Sequence, residues 1–259
     1  MISKRHVAII LFNLLFFVFH PRLTQADTIS VVADRWCPYN CEFNAEKPGI
    51  LIEIAKRIFE AYGDTISYEV MPWSRAKDEV RLGKFNAIVG CARGDAPDFI
   101  FPERGLVTLS NVFFVKSGET WNYSGIQSLS SRRLGAIRDY SYTEDVDEYI
   151  SANKENNARV QFVSGESALE LNIKKLLSDR INVLVDDANV VRYTAQKLGV
   201  EEQLREAGVA RSEAGYIAFS PVLEKSKIYA ELLSKGIEEL KNNGELNKIY
   251  EHYGLTLPK

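Results

Sequence analysis

The sequence predicts an α/β chain made of two units of similar size with a cleft between them. Three observations carry that prediction. Short β-branched runs alternate with helical segments from Thr28 onward. A polar, turn-rich stretch, "ETWNYSGIQSLSSRR", interrupts the alternation, which then starts afresh at Arg133. Strand–helix–strand order places parallel strands in a sheet with helices on its faces.

The first unit opens on "TISVVA" (28–33), a strand. Pro48-Gly49 then precedes "ILIEIAKRIFEAYG", where Leu51, Ile54, Ala55, Ile58, Phe59 and Tyr62 recur at helical spacing and Gly63 ends the run. "TISYEVM" alternates as a strand. Pro72-Trp73-Ser74 starts a short helix reaching Arg81, with Ser74 the expected N-cap. "NAIVGC" is the third strand, running into the polar loop "ARGDAPD", and "NVFFVKSG" is the next.

In the second unit, strands are expected at Arg133 to Arg138, "RVQFV" and "INVLV". Helices are expected at Thr143 to Ala152, Glu166 to Asp179 and Ala188 to Leu198. The chain closes with the strand "GYIAFS" and the helix "SKIYAELLSKGIEELKNNG", whose Ile228, Tyr229, Leu232, Leu233, Ile237 and Leu240 form one apolar face. Ligands of open α/β sheets bind beyond the carboxyl ends of the strands, and clefts between lobes favour small-molecule sites.

Residues 1–26 read as a cleaved export signal. Lys4 and Arg5 precede an apolar run from Val7 to Phe19, and Thr24-Gln25-Ala26 offers a small-x-small cleavage site. The run is shorter than the roughly 20 residues of a membrane span. The expected location is therefore the periplasm. Removal of 1–26 takes Lys4, Arg5 and Arg22 and no acid, leaving 29 basic against 35 acidic residues, net −6. That balance argues against nucleic acid or an anionic membrane as partner.

The segments "ISVVADRW…PGILIEIAKRIFEAYG", "LLSDRINVLVDD" and "GYIAFSP…SKGIEELKNNGELNKIYEHYG" together resemble the extracytoplasmic solute-binding proteins of amino-acid ABC transporters, family 3, over 27–259. The resemblance implies a periplasmic-binding-protein fold of two lobes. Each is a mixed or parallel sheet flanked by helices, with two hinge crossings near Asn111–Lys116 and Ala214–Ala218. Lobe one would comprise 27–112 and 217–259, and lobe two 113–216. It implies a small-molecule ligand, most simply an amino acid or a compound like one, held between the lobes and delivered by hinge closure to an ABC permease. A monomer without cofactor or metal is expected.

Laid on residue by residue, the resemblance sets Asp34 and Trp36 against the ligand, with Trp73 stacking from the other side and Tyr39 in the same aromatic group. Within "AIRDYSY", Arg138, Ser141 and Tyr142 would hold an anionic group. Asp187 would receive an ammonium, while Asp186 would cap the following helix. Tyr140 is left open. The arginine that clamps a carboxylate after the third strand is missing, its place taken by Pro97. Arg93 and Arg75 are the nearby guanidinium groups suited to carboxylate capture.

Cys37 and Cys41 enclose Pro38-Tyr39-Asn40. A zinc site needs about four protein ligands, and His252 is the only histidine left beyond the signal. A redox dithiol more often has two intervening residues. The expected pairing is a Cys37–Cys41 disulfide that fixes the loop carrying Trp36 and Tyr39, with Cys91 free. Cys91 bonded to Cys37 or Cys41 is the alternative. A binding protein rather than an enzyme is expected. The competing class is a dehydratase on the same scaffold, resembling the cyclohexadienyl dehydratases, with Asp34, Glu42 or Asp95 as its acid. A receptor feeding a membrane sensor is the other variant of the binding role.

Overall fold

A computed structural model describes residues 26–42 and 45–257. The expected export signal, Ala26 apart, lies outside the described residues. Within them the strands are β1 (Thr28–Ala33), β2 (Thr65–Val70), β3 (Ala87–Cys91), β4 (Val107–Lys116), β5 (Leu134–Ile137), β6 (Val160–Val163), β7 (Val183–Asp187) and β8 (Leu204–Phe219). The helices are α1 (Ile50–Ala61), α2 (Trp73–Arg81), α3 (Glu144–Ala152), α4 (Ala168–Leu177), α5 (Ala188–Leu198), α6 (Ser226–Asn242) and α7 (Glu245–His252). The sheet order is β2-β1-β3-β8-β4-β7-β5-β6. β1 runs parallel to β2 and β3, and β5 parallel to β6 and β7. These parallel, helix-flanked runs are what the alternation predicts; the antiparallel pairs of β8 with β3 and β4, and of β4 with β7, make the sheet mixed, as the resemblance allows.

The middle of the sheet is where sequence and structure part. Strands were expected only at "NVFFVKSG" and "GYIAFS", yet β4 begins at Val107 and β8 at Leu204. "LREAGVARSEA" is too polar to read as a strand by itself. It becomes one because β4 lies antiparallel beside it from Val107↔Gly215 to Lys116↔Leu204, after which Tyr216–Phe219 passes to β3. A ladder partner satisfies backbone groups whatever the side chains are.

The N-terminal half is closed by α1, α6 and α7. The apolar face of α1 (Ile54, Ala55, Ile58, Phe59) meets Leu233 and Ile237 of α6 in one core cluster. Phe59 also meets the rings of Phe219 and Tyr229 edge-on at 6.4 and 6.0 Å. Burying one such aliphatic side chain contributes about 1.5–3 kcal/mol. Ile228, counted on the α6 face from spacing, instead points outward and is 55% exposed. α2 is capped by Pro72 rather than Ser74, which falls inside the helix. No helix among the described residues is long and apolar enough to cross a membrane.

α6 approaches α1 closely at Gly236, where an added Cβ would lie 2.3 Å from Ile58 Cγ2. Replacing Gly236 with alanine is expected to destabilise the protein by about 1–3 kcal/mol through overpacking. A lowered urea midpoint at unchanged slope would show it.

Candidate functional site

Side chains from strand ends in both halves converge on two adjoining chambers. The inner one, of about 50 Å³, is walled by Asp34 and Trp36 after β1, Trp73 at the start of α2, and Gly90, Ala92 and Asp95 at and beyond the end of β3. Across from them stand Leu109 and Asn111 of β4, Tyr140 and Ser141 after β5, Asp186 of β7, and Arg211 and Glu213 of β8. The outer chamber, of about 670 Å³, shares Asp34, Trp36, Trp73 and Tyr140. It adds the Cys37–Cys41 loop, Arg138, and residues of α4 and α5.

The two walls already touch. The Trp36 indole N–H donates to Asp186 Oδ1 at 3.3 Å, and the Tyr140 hydroxyl donates to Asp34 Oδ2. Asp34 is steadied from its own side, where Asn40 Nδ2 donates to its backbone carbonyl at 2.6 Å. Over the outer chamber, Arg35 donates to the Glu166 carbonyl at 2.6 Å and pairs with Glu170 at 3.5 Å and Glu42 at 3.2 Å.

The inner chamber is acidic. Burial pushes the Asp34 carboxyl up to about 6, against the opposing pull of the Tyr140 hydrogen bond. Burial, reinforced by the neighbouring Asp187 and Asp34 charges, pushes Asp186 up to about 7. Asp95 is also raised by burial, while its Oδ2 accepts from the Ala92 N–H at 3.0 Å. Glu213, raised by burial too, pairs with Arg211 at 2.5 Å. Asp186 Oδ1 accepts from the Asp187 N–H at 2.8 Å as well as from Trp36, whereas its Oδ2 is buried with no hydrogen-bond partner.

Of the residues singled out from sequence, Asp34, Trp36, Trp73 and Ser141 line the inner chamber and Arg138 the outer. The others lie elsewhere. Tyr39 is fully buried beneath Trp36, donating to the Thr108 carbonyl at 3.1 Å and accepting from Asn189 at 2.9 Å. Tyr142 is buried, its hydroxyl accepting from the Ile137 N–H at 2.9 Å. Arg75 lines neither chamber and pairs with Glu79 at 3.9 Å. Arg93 is outside both chambers, stacked on Phe101 and Tyr216 at 4.9 and 4.8 Å and donating to the Pro102 carbonyl at 3.0 Å.

The two adjacent aspartates are placed the other way round from the expectation. Asp187, not Asp186, caps α5, accepting from the Asn189 and Val190 N–H groups at 2.9 and 3.2 Å and from the Ser110 N–H at 2.7 Å. Asp186 faces the chamber. Neighbours along a strand point to opposite faces, so the two side chains cannot do the same work. The expected anion nest before α3 is also filled, because the Asp147 carboxylate takes the Ser141 hydroxyl at 2.7 Å and the Tyr142 N–H at 3.0 Å. Arg138 lies over the Phe162 ring at 4.9 Å. Among the chamber residues that sequence reasoning passed over are the charged pair Arg211 and Glu213. Their i, i+2 spacing on one face of β8 is a strand signal, but only once 204–214 is known to be a strand.

Cys37 and Cys41 are disulfide-bonded and Cys91 is a free, buried thiol, whose burial raises its pKa. The Cys37–Pro38 peptide is cis.

Solved structures share this architecture. An ancestral arginine-binding protein bound to arginine superposes with a TM-score of 0.70 at 17% identity, covering 87% of this chain and 97% of its own. The amino acid ABC transporter substrate-binding protein AbpA of Streptococcus pneumoniae, bound to L-arginine, gives 0.66 at 20% identity, covering 90% and 97%. The ancestral amino acid-binding protein AncCDT-1, a precursor of cyclohexadienyl dehydratase, gives 0.65 at 17%, covering 87% and 94%. At these identities the likeness is one of fold. No curated protein sequence matches the chain. The family model for bacterial extracellular solute-binding proteins, family 3, matches residues 29–256. With that match spanning nearly all the described residues, the chain belongs to the bacterial extracellular solute-binding proteins of family 3.

Proposed function

We propose that the protein binds a small polar solute of the amino-acid type outside the cytoplasmic membrane and hands it to an ABC permease when its two lobes, 27–112 with 217–259 and 113–216, close and reopen about β4 and β8. One observation carries the reading: the paired chambers at the strand ends are walled by aromatic and carboxylate side chains from both halves of the fold. Trp36 and Trp73 offer faces for stacking, and Asp34 and Asp186 offer charge for an amine. Arg35, reaching Glu166 and Glu170, fastens the closed form.

A thermal-shift screen against amino acids, short peptides, carboxylates and polyamines tests it. A ligand held only by the folded state at a hundredfold excess over Kd stabilises by ~3 kcal/mol, and the melting temperature rises accordingly. If no compound of these classes shifts it, and none is released from the native protein on denaturation, the binding reading fails. A second reading is an enzyme on this scaffold, favoured by the Asp34 carboxyl, which is held near neutrality at about 6 in the inner chamber. Incubation with prephenate or arogenate separates the two, since only an enzyme yields an aromatic product.

A further inference from the structure

The Cys37–Cys41 disulfide lies on the wall of the cleft. Both cysteines line the outer chamber, where Cys37 is half-buried and Cys41 is 3% exposed. At about 670 Å³ that chamber falls within the roughly 300–1,000 Å³ of small-molecule sites. Its lining includes the exposed Glu42, Glu46 and Lys47, so it opens to solvent beside the disulfide.

As a brace the bond is nearly redundant. The Trp36 N–H donates to the Asn40 carbonyl at 2.7 Å, and the Asn40 N–H returns to the Trp36 carbonyl at 3.2 Å, which closes the loop without the sulfurs. From beyond the loop, the Ile50 and Leu51 N–H groups donate to the Pro38 and Tyr39 carbonyls at 2.9 and 3.0 Å. The Cys41 N–H donates to the Pro48 carbonyl at 2.8 Å, and Tyr39 and Asn40 are fully buried. A ring closed over Pro38-Tyr39-Asn40 removes little chain entropy compared with a long loop. The S–S bond can therefore open while the loop keeps its shape. Exposed disulfides are the labile, regulatory or catalytic ones.

The same chamber holds an anchor for an acid. Arg138 lies over the Phe162 ring at 4.9 Å, and among the described residues its guanidinium is paired with no carboxylate. Arg35, by contrast, is engaged with Glu42 and the Glu166 carbonyl. A planar guanidinium suits a carboxylate.

We propose that the outer chamber captures a small thiol bearing a carboxylate, such as cysteine or a cysteinyl peptide, by exchange with the Cys37–Cys41 disulfide. The carboxylate rests on Arg138. The solute's thiolate attacks the sulfur of Cys37, the more exposed cysteine. A solute–Cys37 S–S bond forms as the Cys37–Cys41 bond breaks, and the electron pair leaves on Cys41. Cys41 then takes up a proton from water in place of the one the solute gave up, so there is no net oxidation or reduction. Attack by Cys41 on the mixed disulfide reverses the step and frees the thiol. Cys91 takes no part, since it is buried and burial holds its thiol protonated. This inference rests on the solute-binding reading and narrows it to thiol acids.

The test is to incubate the native protein with L-cysteine, alkylate with iodoacetamide and map the three cysteines by mass spectrometry. Cysteamine, which lacks only the carboxylate, is the control at equal thiolate concentration. Cys37 should carry the solute, Cys41 the alkyl group and Cys91 neither. The rate should saturate with cysteine and exceed that of cysteamine at least tenfold, and Arg138→Ala should remove the preference. A disulfide that opens only in urea overturns the proposal, as does alkylation of both Cys37 and Cys41 without an adduct. Equal rates for the two thiols in the wild-type protein overturn it as well. The double variant Cys37→Ser, Cys41→Ser should fold; its failure to fold would make the bond a brace. If the exchange fails while a solute without a thiol raises the melting temperature, the thiol assignment falls and the solute-binding reading stands. If no solute raises it either, both fall.

Discussion

Asp186→Asn is expected to make the ligand-free protein more stable at pH 8, by an amount on the order of 2 kcal/mol, even as it removes the binding charge. The amide keeps an oxygen for the Trp36 and Asp187 N–H groups, which both bond Oδ1 in the native protein. It removes an ionised group that the interior resists, as the rise of its pKa from 3.8 to about 7 shows. Each pKa unit corresponds to about 1.4 kcal/mol. Against that gain stands an amide N–H₂ placed where Oδ2 has no partner, at a cost of about 1–3 kcal/mol.

The sign depends on pH. Asp34, Asp186 and Asp187 all have folded-state pKa values raised by burial, to about 6, 7 and 6. Between the unfolded value near 4 and these, the unfolded chain has lost protons that the folded protein keeps, so stability falls as pH rises through that window and levels off above it. The acidic groups and phenols coupled to Asp186 are Asp34, Asp187, Tyr140 and Tyr142, while the one guanidinium lining its chamber, Arg211, is paired with Glu213. Urea denaturation from pH 4 to 8 should therefore show the variant's advantage growing with pH, passing through zero at roughly pH 5–6, and becoming a deficit of about 1–3 kcal/mol near pH 4, where only the unpartnered amide counts. An advantage that is flat across the range would mean that Asp186 is ionised throughout.

Gly90→Ala is expected to cost both stability and affinity. Gly90 sits at φ 81°, in the left-handed region, on the wall of the inner chamber. An L-residue there is strained by about 1–2 kcal/mol. Its Cβ would also stand 3.1 Å from Asn40 Oδ1 and 3.5 Å from the Trp36 ring. Asn40 holds the Asp34 carbonyl and Trp36 holds Asp186, so the methyl group presses on the supports of both acids. A lower urea midpoint together with at least a tenfold weaker binding of a solute found by the thermal-shift screen is the expected outcome. Normal affinity in a destabilised variant would show that Trp36 yields without disturbing Asp186.

The fold was legible because its signals are local. The apolar spacing of α1, the β-branched β1 and the alternation of β2 each appear within about a dozen residues. The site was legible only where a side chain's task follows from its position after a strand, as for Asp34, Trp36 and Trp73. Arg93 looked free to clamp a carboxylate because Tyr216, whose ring and hydroxyl hold it, lies 123 residues away. Asp186 and Asp187 are indistinguishable by composition. Which of them caps α5 depends on the pleat of β7 and on where the helix begins, a matter of one residue. The first part of β8 was missed for the same kind of reason: that polar stretch is a strand only by virtue of β4.

That pairing has a mechanical consequence. β4 and β8 are laced to each other, down to the Ser110 and Ser212 hydroxyls 2.8 Å apart, and are not independent threads. Such a strip behaves like a leaf spring. It resists shear and bends most easily where its ladder is irregular, as at Asn111/Val112 and Val112/Phe114. If closure proceeds about this strip, its stiffness sets how much binding energy is spent on bending. An optical sensor built on this chain could then have its working concentration range adjusted at Ser110 and Ser212, with the recognition chemistry untouched.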